Sequence, residues 1–240
     1  MKKTGFIFFV IGLIFFGTGC ATSGKAALVA QKDPIALVSF ISNEDVNWSG
    51  EEPIDPNVTG PLIRRALRLD PDMTTVTNTV EFINTAENIF RNILADSGLF
   101  ILAGKEAVLQ SASYQNARER RFPNRNMVKP EGYRFIDFRD KKFHSALAEE
   151  TGIQRSMHIE FNFTKFLYTG VSFLGNCRAE VEMTVIILDA AGKILYRKTN
   201  SMVSASSVRI SSGVYSQSAM LNSLEETVND VIFEFLAQFN

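Results

Sequence analysis

Val185-Ile-Ile-Leu-Asp189-Ala-Ala-Gly-Lys-Ile-Leu-Tyr196 is the stretch that decides the fold. An apolar run stops at Asp189-Ala-Ala-Gly192, whose composition is that of a turn, and the chain returns from Lys193 to Ser204 as a second strand. Upstream, Ala179, Val181, Met183, Val185 and Ile187 alternate with Arg178, Glu180, Glu182 and Thr184. Successive side chains on a strand point to opposite faces, so this spacing gives one dry face and one wet face. The stretch before it repeats the pattern. Met157, Ile159, Phe161 and Phe163 alternate with His158, Glu160, Asn162 and Thr164, which places His158 on the wet face. The last third therefore predicts an antiparallel sheet whose apolar face needs a cover.

Helices supply it. Met220, Leu224, Val228, Val231, Phe235 and Phe239 form one stripe of a terminal helix. Val76, Val80, Ile83, Phe90 and Leu94 form another, with Asn78 and Glu81 as a capping pair and Gly98 at the stop. Ile35 to Ile41 reads as a first strand and Leu99 to Leu102 as a short buried one. A weaker helix is expected from Glu106 to Arg118, irregular chain over 119–139, and a short helix from Asp140 to Glu150 ending before Gly152. Ser42 to Asp72, with Pro53, Pro56, Pro61 and Pro71, is expected to be a long loop with one helical turn at Leu62 to Leu69. Each amphipathic piece needs a partner, which predicts the α/β (α+β) class. The expected form is a mixed four- to five-stranded sheet with helices packed on it, C-terminal antiparallel strands and a terminal helix.

The amino terminus gives an address. Lys2 and Lys3 precede an apolar run from Phe6 to Phe16 and then Gly17-Thr18-Gly19-Cys20. That run is too short to span a bilayer and suits a secretion signal. Gly and Thr before a cysteine at the cut resemble the lipobox of bacterial lipoproteins. The resemblance implies cleavage before Cys20, acylation of its thiol and new amine, and a lipid bilayer as partner. The expected layout is a signal peptide at 1–19, a lipidated tether at 20–33 and a single α/β domain at 34–240. Loss of Lys2 and Lys3 takes the net charge from −1 to about −3, too even a balance for a nucleic-acid binder. Cys177 is then alone, unable to form an internal disulfide, and reads as a small buried apolar side chain.

The order of elements resembles the α/β domain shared by the curli secretion-channel lipoprotein, the lipoprotein activators of penicillin-binding proteins and the amino-terminal domain of TolB. Ile35-Ala-Leu-Val-Ser-Phe40, Leu99-Phe-Ile-Leu102 and the Val185–Tyr196 hairpin are the residues that are similar. The Pro-rich loop and a basic insert at 118–142 are longer than that group implies, and no charge-poor alternating hairpin suited to a channel wall is present. The resemblance implies binding to other envelope components.

Candidate chemistry is sparse. Gly19-x-x-x-x-Gly24-Lys25 approaches a phosphate loop, but Ala26 stands where Ser or Thr should be, and the match straddles the expected cut. His144 and His158 are the only histidines, with no spacing that builds a zinc site, and both read as solvated or structurally satisfied. No Gly-x-Ser-x-Gly elbow appears. Glu149-Glu150 and Glu225-Glu226 read as solvated helix faces. No metal and no cofactor is expected.

Recognition surfaces read more clearly. Residues 43–56 hold five acids and no base around Trp48, the only tryptophan. Residues 118–142 hold nine Arg or Lys against four acids, with Phe122, Tyr133, Phe135 and Phe138 interleaved. Trp and Arg are common anchors of interfaces. Trp48, Arg120, Arg121, Arg125, Tyr133 and Phe173 are the candidate contacts with a partner. Phe173 lies in an apolar hairpin tip, Tyr168-Thr-Gly-Val-Ser-Phe173-Leu174-Gly, which is expected to tuck against the core. The expected function is a non-catalytic adaptor or assembly factor of the bacterial envelope, at the outer membrane, bound to an envelope protein. An envelope enzyme of the cell-wall hydrolase type and an apolar small-ligand carrier are the alternatives.

Overall fold

A computed structural model describes residues 28–30, 32–49, 72–122 and 125–240. The leader, Cys20 and the turn expected at Leu62 to Leu69 lie outside the described residues. Four long strands make the sheet: β1 (Ile35–Asn43), β5 (Arg155–Val171), β6 (Leu174–Asp189) and β7 (Ile194–Val203). β1 runs parallel to β5, while β5–β6 and β6–β7 are antiparallel, so the sheet is mixed. Short strands extend it: β2 (Asn47–Trp48) on β5, β4 (Met127–Val128) on β1, and β3 (Met73–Thr74) with β8 (Val208–Ser211) and β9 (Val214–Ser216) beside the tip end of β6. All nine residues of β1 are buried, as a strand covered on both faces requires.

The dry face lies under helices α1 (Phe82–Ser97) and α5 (Gln217–Leu236), which also pack on each other. Its centre is aromatic. Phe161 meets Phe40 at 5.4 Å between ring centroids and stacks on Phe163 at 5.4 Å. Phe90 of α1 closes on Phe40 at 5.8 Å. The terminal-helix stripe from Met220 to Phe235 is fully buried, and Phe239 continues it one turn later in a 3-10 segment. Cys177 is buried, and desolvation pushes its thiol up to about 11, so it is inert at neutral pH.

Several expectations are corrected. Val76 and Val80 are exposed and precede α1, and Asn78 accepts from the Val80 amide rather than capping the helix. Sheet-type bonds outweigh helical propensity there: the Val46 amide donates to the Thr77 carbonyl and the Thr79 amide to that of Glu44. Leu99 to Leu102 makes one parallel bridge, Leu102 with Ile35, instead of a strand, and Ile101 is exposed. The helix expected from Glu106 to Arg118 splits into α2 (Lys105–Leu109) and α3 (Ala112–Gln115). Ser111 caps α3, and the Glu150 carboxylate accepts from the Ala112 and Ser113 amides at 2.7 and 2.8 Å. Glu150 belongs to α4 (Lys141–Thr151), which Asp140 caps and which stops at Gly152, the stop the sequence predicts. The β8–β9 hairpin is unforeseen. Its turn has φ 53° at Ser212 and 76° at Gly213, a primed turn that a Ser-Gly pair signals only weakly.

Candidate interaction surfaces

The basic insert is fastened to the wet face of the sheet near the start of β5. Glu119 bridges to Ile136, the Arg120 amide donates to the Phe135 carbonyl at 2.6 Å, and the Asp137 amide donates to the Arg118 carbonyl at 3.3 Å. This pairing opens a cleft of about 900 Å³ lined by Arg118, Arg120, Arg121, Phe138 and Arg139 with Glu119 and Asp137. Three guanidinium groups gather round the Phe138 ring: Arg139 at 5.4 Å, Arg197 of β7 at 5.8 Å and Arg120 at 6.0 Å.

The nominated arginines separate by role. Arg120 ion-pairs with Glu160 at 3.0 Å and stacks on Phe122 at 4.5 Å, so it ties the insert to β5. Arg121 is exposed on the cleft rim. Arg125 is exposed beside a smaller cleft of about 430 Å³ that it shares with Asp45, Asn47, Glu160 and Asn162. Arg197 reaches the Phe138 ring from a strand some sixty residues away, which no local sequence signal announces.

Tyr133 is withdrawn from the surface. It is 1% exposed, and its hydroxyl donates to Glu87 at 3.0 Å and accepts from Arg91 at 2.6 Å. Glu87 also accepts from Lys105 at 2.8 Å. Burial alone would push the Glu87 carboxyl up, but Lys105 and Arg91 outweigh it and hold it below the usual range. This network joins α1, α2 and the insert. Trp48 is half-buried, with the Lys165 ammonium 4.9 Å from its ring.

His158 is the other correction. It lies on the face foreseen as wet, yet it is 5% exposed, because Phe138 and His144 of the insert and α4 cover that end of the sheet. His144 donates from Nε2 to the Phe138 carbonyl at 3.0 Å and accepts at Nδ1 from Ser156 at 2.9 Å, the pattern of a neutral ring. His158 Nε2 has no hydrogen-bond partner among the described residues. Burial holds His144 below the ordinary histidine range, despite the Phe138 carbonyl and the nearby Asp140, Asp189 and Asp137. Burial, with His144 and Arg120 close by, holds His158 well below it. A folded-state pKa below the unfolded value contributes stability above the unfolded pKa and loses it as pH falls. Stability should therefore decline below about pH 6.5, by up to about 1.4 kcal/mol per pH unit for each ring. Urea unfolding from pH 7.5 to 5 of the native chain and of His158→Leu checks this: the variant should show a markedly shallower decline.

At the far end of the β5–β6 ladder stands the hairpin tip. Tyr168, Val171, Phe173 and Leu174 are 50, 61, 45 and 59% exposed, so the tip is presented to solvent and the expected tucking does not occur. Two glycines let its two strands approach closely. Gly170 has φ 82°, and a Cβ there would meet the Leu174 carbonyl oxygen at 2.5 Å. A Cβ on Gly175 would run into the Thr169 carbonyl oxygen, and Val171's lies at 2.9 Å. Phe173's carbonyl accepts from the Gly213 amide at 3.0 Å, which braces the tip against the β8–β9 turn.

The fold and these surfaces define a mixed α/β module with a basic cleft at one end and an apolar finger at the other. No family model matches the chain, and no curated protein matches it. Among solved structures, it is similar to the LpoB C-terminal domain from Salmonella enterica, at 13% identity and a TM-score of 0.28, over 75% of this chain and 96% of that one. A likeness that slight carries no argument.

Proposed function

We propose that this chain is a lipoprotein of the bacterial envelope, anchored through Cys20 and expected at the outer membrane, that acts as a non-catalytic adaptor for another envelope protein. The lipobox-like Gly17–Cys20 supports the address, and the exposed, braced apolar tip of β5–β6 supports the adaptor role. Val171 is sixteen residues along β5 from Arg155, about 50 Å at the rise of a strand. The chain enters beside Arg155, whose Nη1 donates to the Leu28 carbonyl at 2.8 Å. An anchor attached there leaves the finger on the membrane-distal end, where it can reach a partner. A cluster of exposed apolar side chains on one hairpin favours a protein groove as its destination.

A photo-crosslinking amino acid at Phe173 in living cells should capture one envelope protein, and Leu174→Asp should abolish the adduct. Because Leu174 is exposed, its replacement should leave stability within about 0.5 kcal/mol. Adducts that persist in Leu174→Asp, or that form equally well from exposed Lys198 on β7, would remove the tip from the recognition surface.

A further inference from the structure

The end of the domain where the chain enters carries a second, unassigned surface. Arg121, Arg139, Lys141, Lys142, Lys193 and Arg197 are all exposed there. The fold brings them together from three places. Arg155 opens β5 opposite Asp189, the last residue of β6, so the 189–193 turn lies at this end. The first turn of α4 abuts that turn: a Cβ on Gly192 would lie 2.9 Å from Lys141 Cγ, and Ser145 donates to the Ala190 carbonyl at 2.9 Å. Arg139 and Arg197 meet over Phe138.

Three neighbouring acids, Asp137, Asp140 and Asp189, are half-buried and hold local backbone amides with one carboxylate oxygen each. Asp140 accepts from the Lys142 and Phe143 amides, Asp189 from those of Ala191 and Lys193, and Asp137 from that of Arg139. None of the six cations has a carboxylate within ion-pair distance among the described residues. Six exposed cations stand here against the exposed acids Asp33 and Glu119, so this end carries an excess of positive charge, although the chain as a whole is slightly acidic.

The geometry points to a docking surface for the phosphate headgroups of an anionic bilayer. This rests on the anchor at Cys20 proposed above. Leu28 is 6% exposed and packs against the domain, and the seven residues between it and Cys20 let the two lie at most about 28 Å apart in any conformation. An acyl group at Cys20 thus keeps this end near the headgroups, where screening lengths of about 8 Å demand close approach. Basic clusters beside an anchor add to binding on anionic lipid. The guanidinium forks supply bidentate contacts to phosphate. The domain would stand with its basic end on the bilayer and its apolar finger away from it.

The test uses the purified full-length lipidated protein on vesicles of phosphatidylcholine alone or with about one-third phosphatidylglycerol. Amine acylation read by mass spectrometry should show Lys141, Lys142 and Lys193 protected at least threefold on the anionic vesicles. Exposed Lys198, on the opposite face of β7, should react equally on both. Protection should vanish in 0.5 M salt and in the variant Lys141→Glu/Lys142→Glu/Lys193→Glu, read through the reactivity of Arg139 and Arg197 to a guanidine reagent. Equal reactivity on both vesicles, with the protein floating on each, overturns the proposal. The same protection by inorganic phosphate in the absence of vesicles also overturns it, in favour of a free-anion site. Native protein whose amino-terminal peptide carries no acyl group, yet which floats on anionic vesicles, would sink the Cys20 anchor and keep the basic surface.

Discussion

Phe161→Ala should destabilise the domain by about 3–5 kcal/mol, a large part of the 5–15 kcal/mol that holds a typical domain together. Phe161 is 1% exposed at the middle of the sheet, in contact with Phe40 and Phe163. Its neighbours cannot close over the vacancy. Phe40 sits on fully buried β1, which is hydrogen-bonded to β5, and Phe90 holds Phe40 from α1. The loss therefore combines removed apolar contact with a cavity that stays open. The tilted pair with Phe40 and the stacked pair with Phe163 add about 0.5–1.5 kcal/mol each. Urea unfolding at pH 7.5 is the measurement, with a lower midpoint and an unchanged slope expected. Phe173→Ala, in the exposed tip, should shift stability by about 0.5 kcal/mol or less. A cost for Phe161→Ala below about 1.5 kcal/mol would mean that this core is not packed as described.

The contrast between these phenylalanines shows what the sequence can and cannot disclose. Strict alternation from Met157 to Phe163 places Phe161 in the core, because the period of a strand assigns faces without further knowledge. The same rule places the β6 and β7 strands and the turn at Asp189. It misplaces His158, because alternation reports which face a side chain joins and not what covers that face. The cover comes from Phe138 and α4, and no local pattern shows that an irregular insert will fold back over a polar strand. Val76 and Val80 fail differently. Their spacing fits the α1 stripe, but backbone bonds from Val46 and to Glu44 hold that segment beside the sheet.

The surfaces were legible in composition and not in arrangement. The insert's basic excess is plain from the sequence, yet Arg120 is tied to Glu160, while Arg197 arrives from β7. Tyr133 looks like an interface aromatic until its hydroxyl is found between Glu87 and Arg91. The tip contains the apolar residues of a core strand, and only the length of β5 beyond its helical cover reveals that they are exposed. Gly170 and Gly175 carry the clearest signal in hindsight, since two glycines flanking an apolar turn mark backbones in close approach.

Cys20→Ser should move the protein from the membrane fraction to the soluble fraction almost completely. In the proposed arrangement the acyl chains at Cys20 provide the attachment. Each buried methylene contributes about 0.8 kcal/mol, and two or three chains hold where one holds only marginally. Serine offers no thiol for the first acylation, so the variant carries no diacyl group at residue 20. The basic end supplies a weaker, salt-sensitive attraction, so the variant should retain a residue of binding on anionic membranes that a 0.5 M salt wash removes. Native protein should resist the same wash. Fractionation with and without salt, alongside the mass of the amino-terminal peptide, separates the two contributions. Unchanged partitioning of the variant in high salt, or a native amino-terminal peptide without acyl groups, would refute the anchor and with it the orientation that sets the apolar finger far from the bilayer.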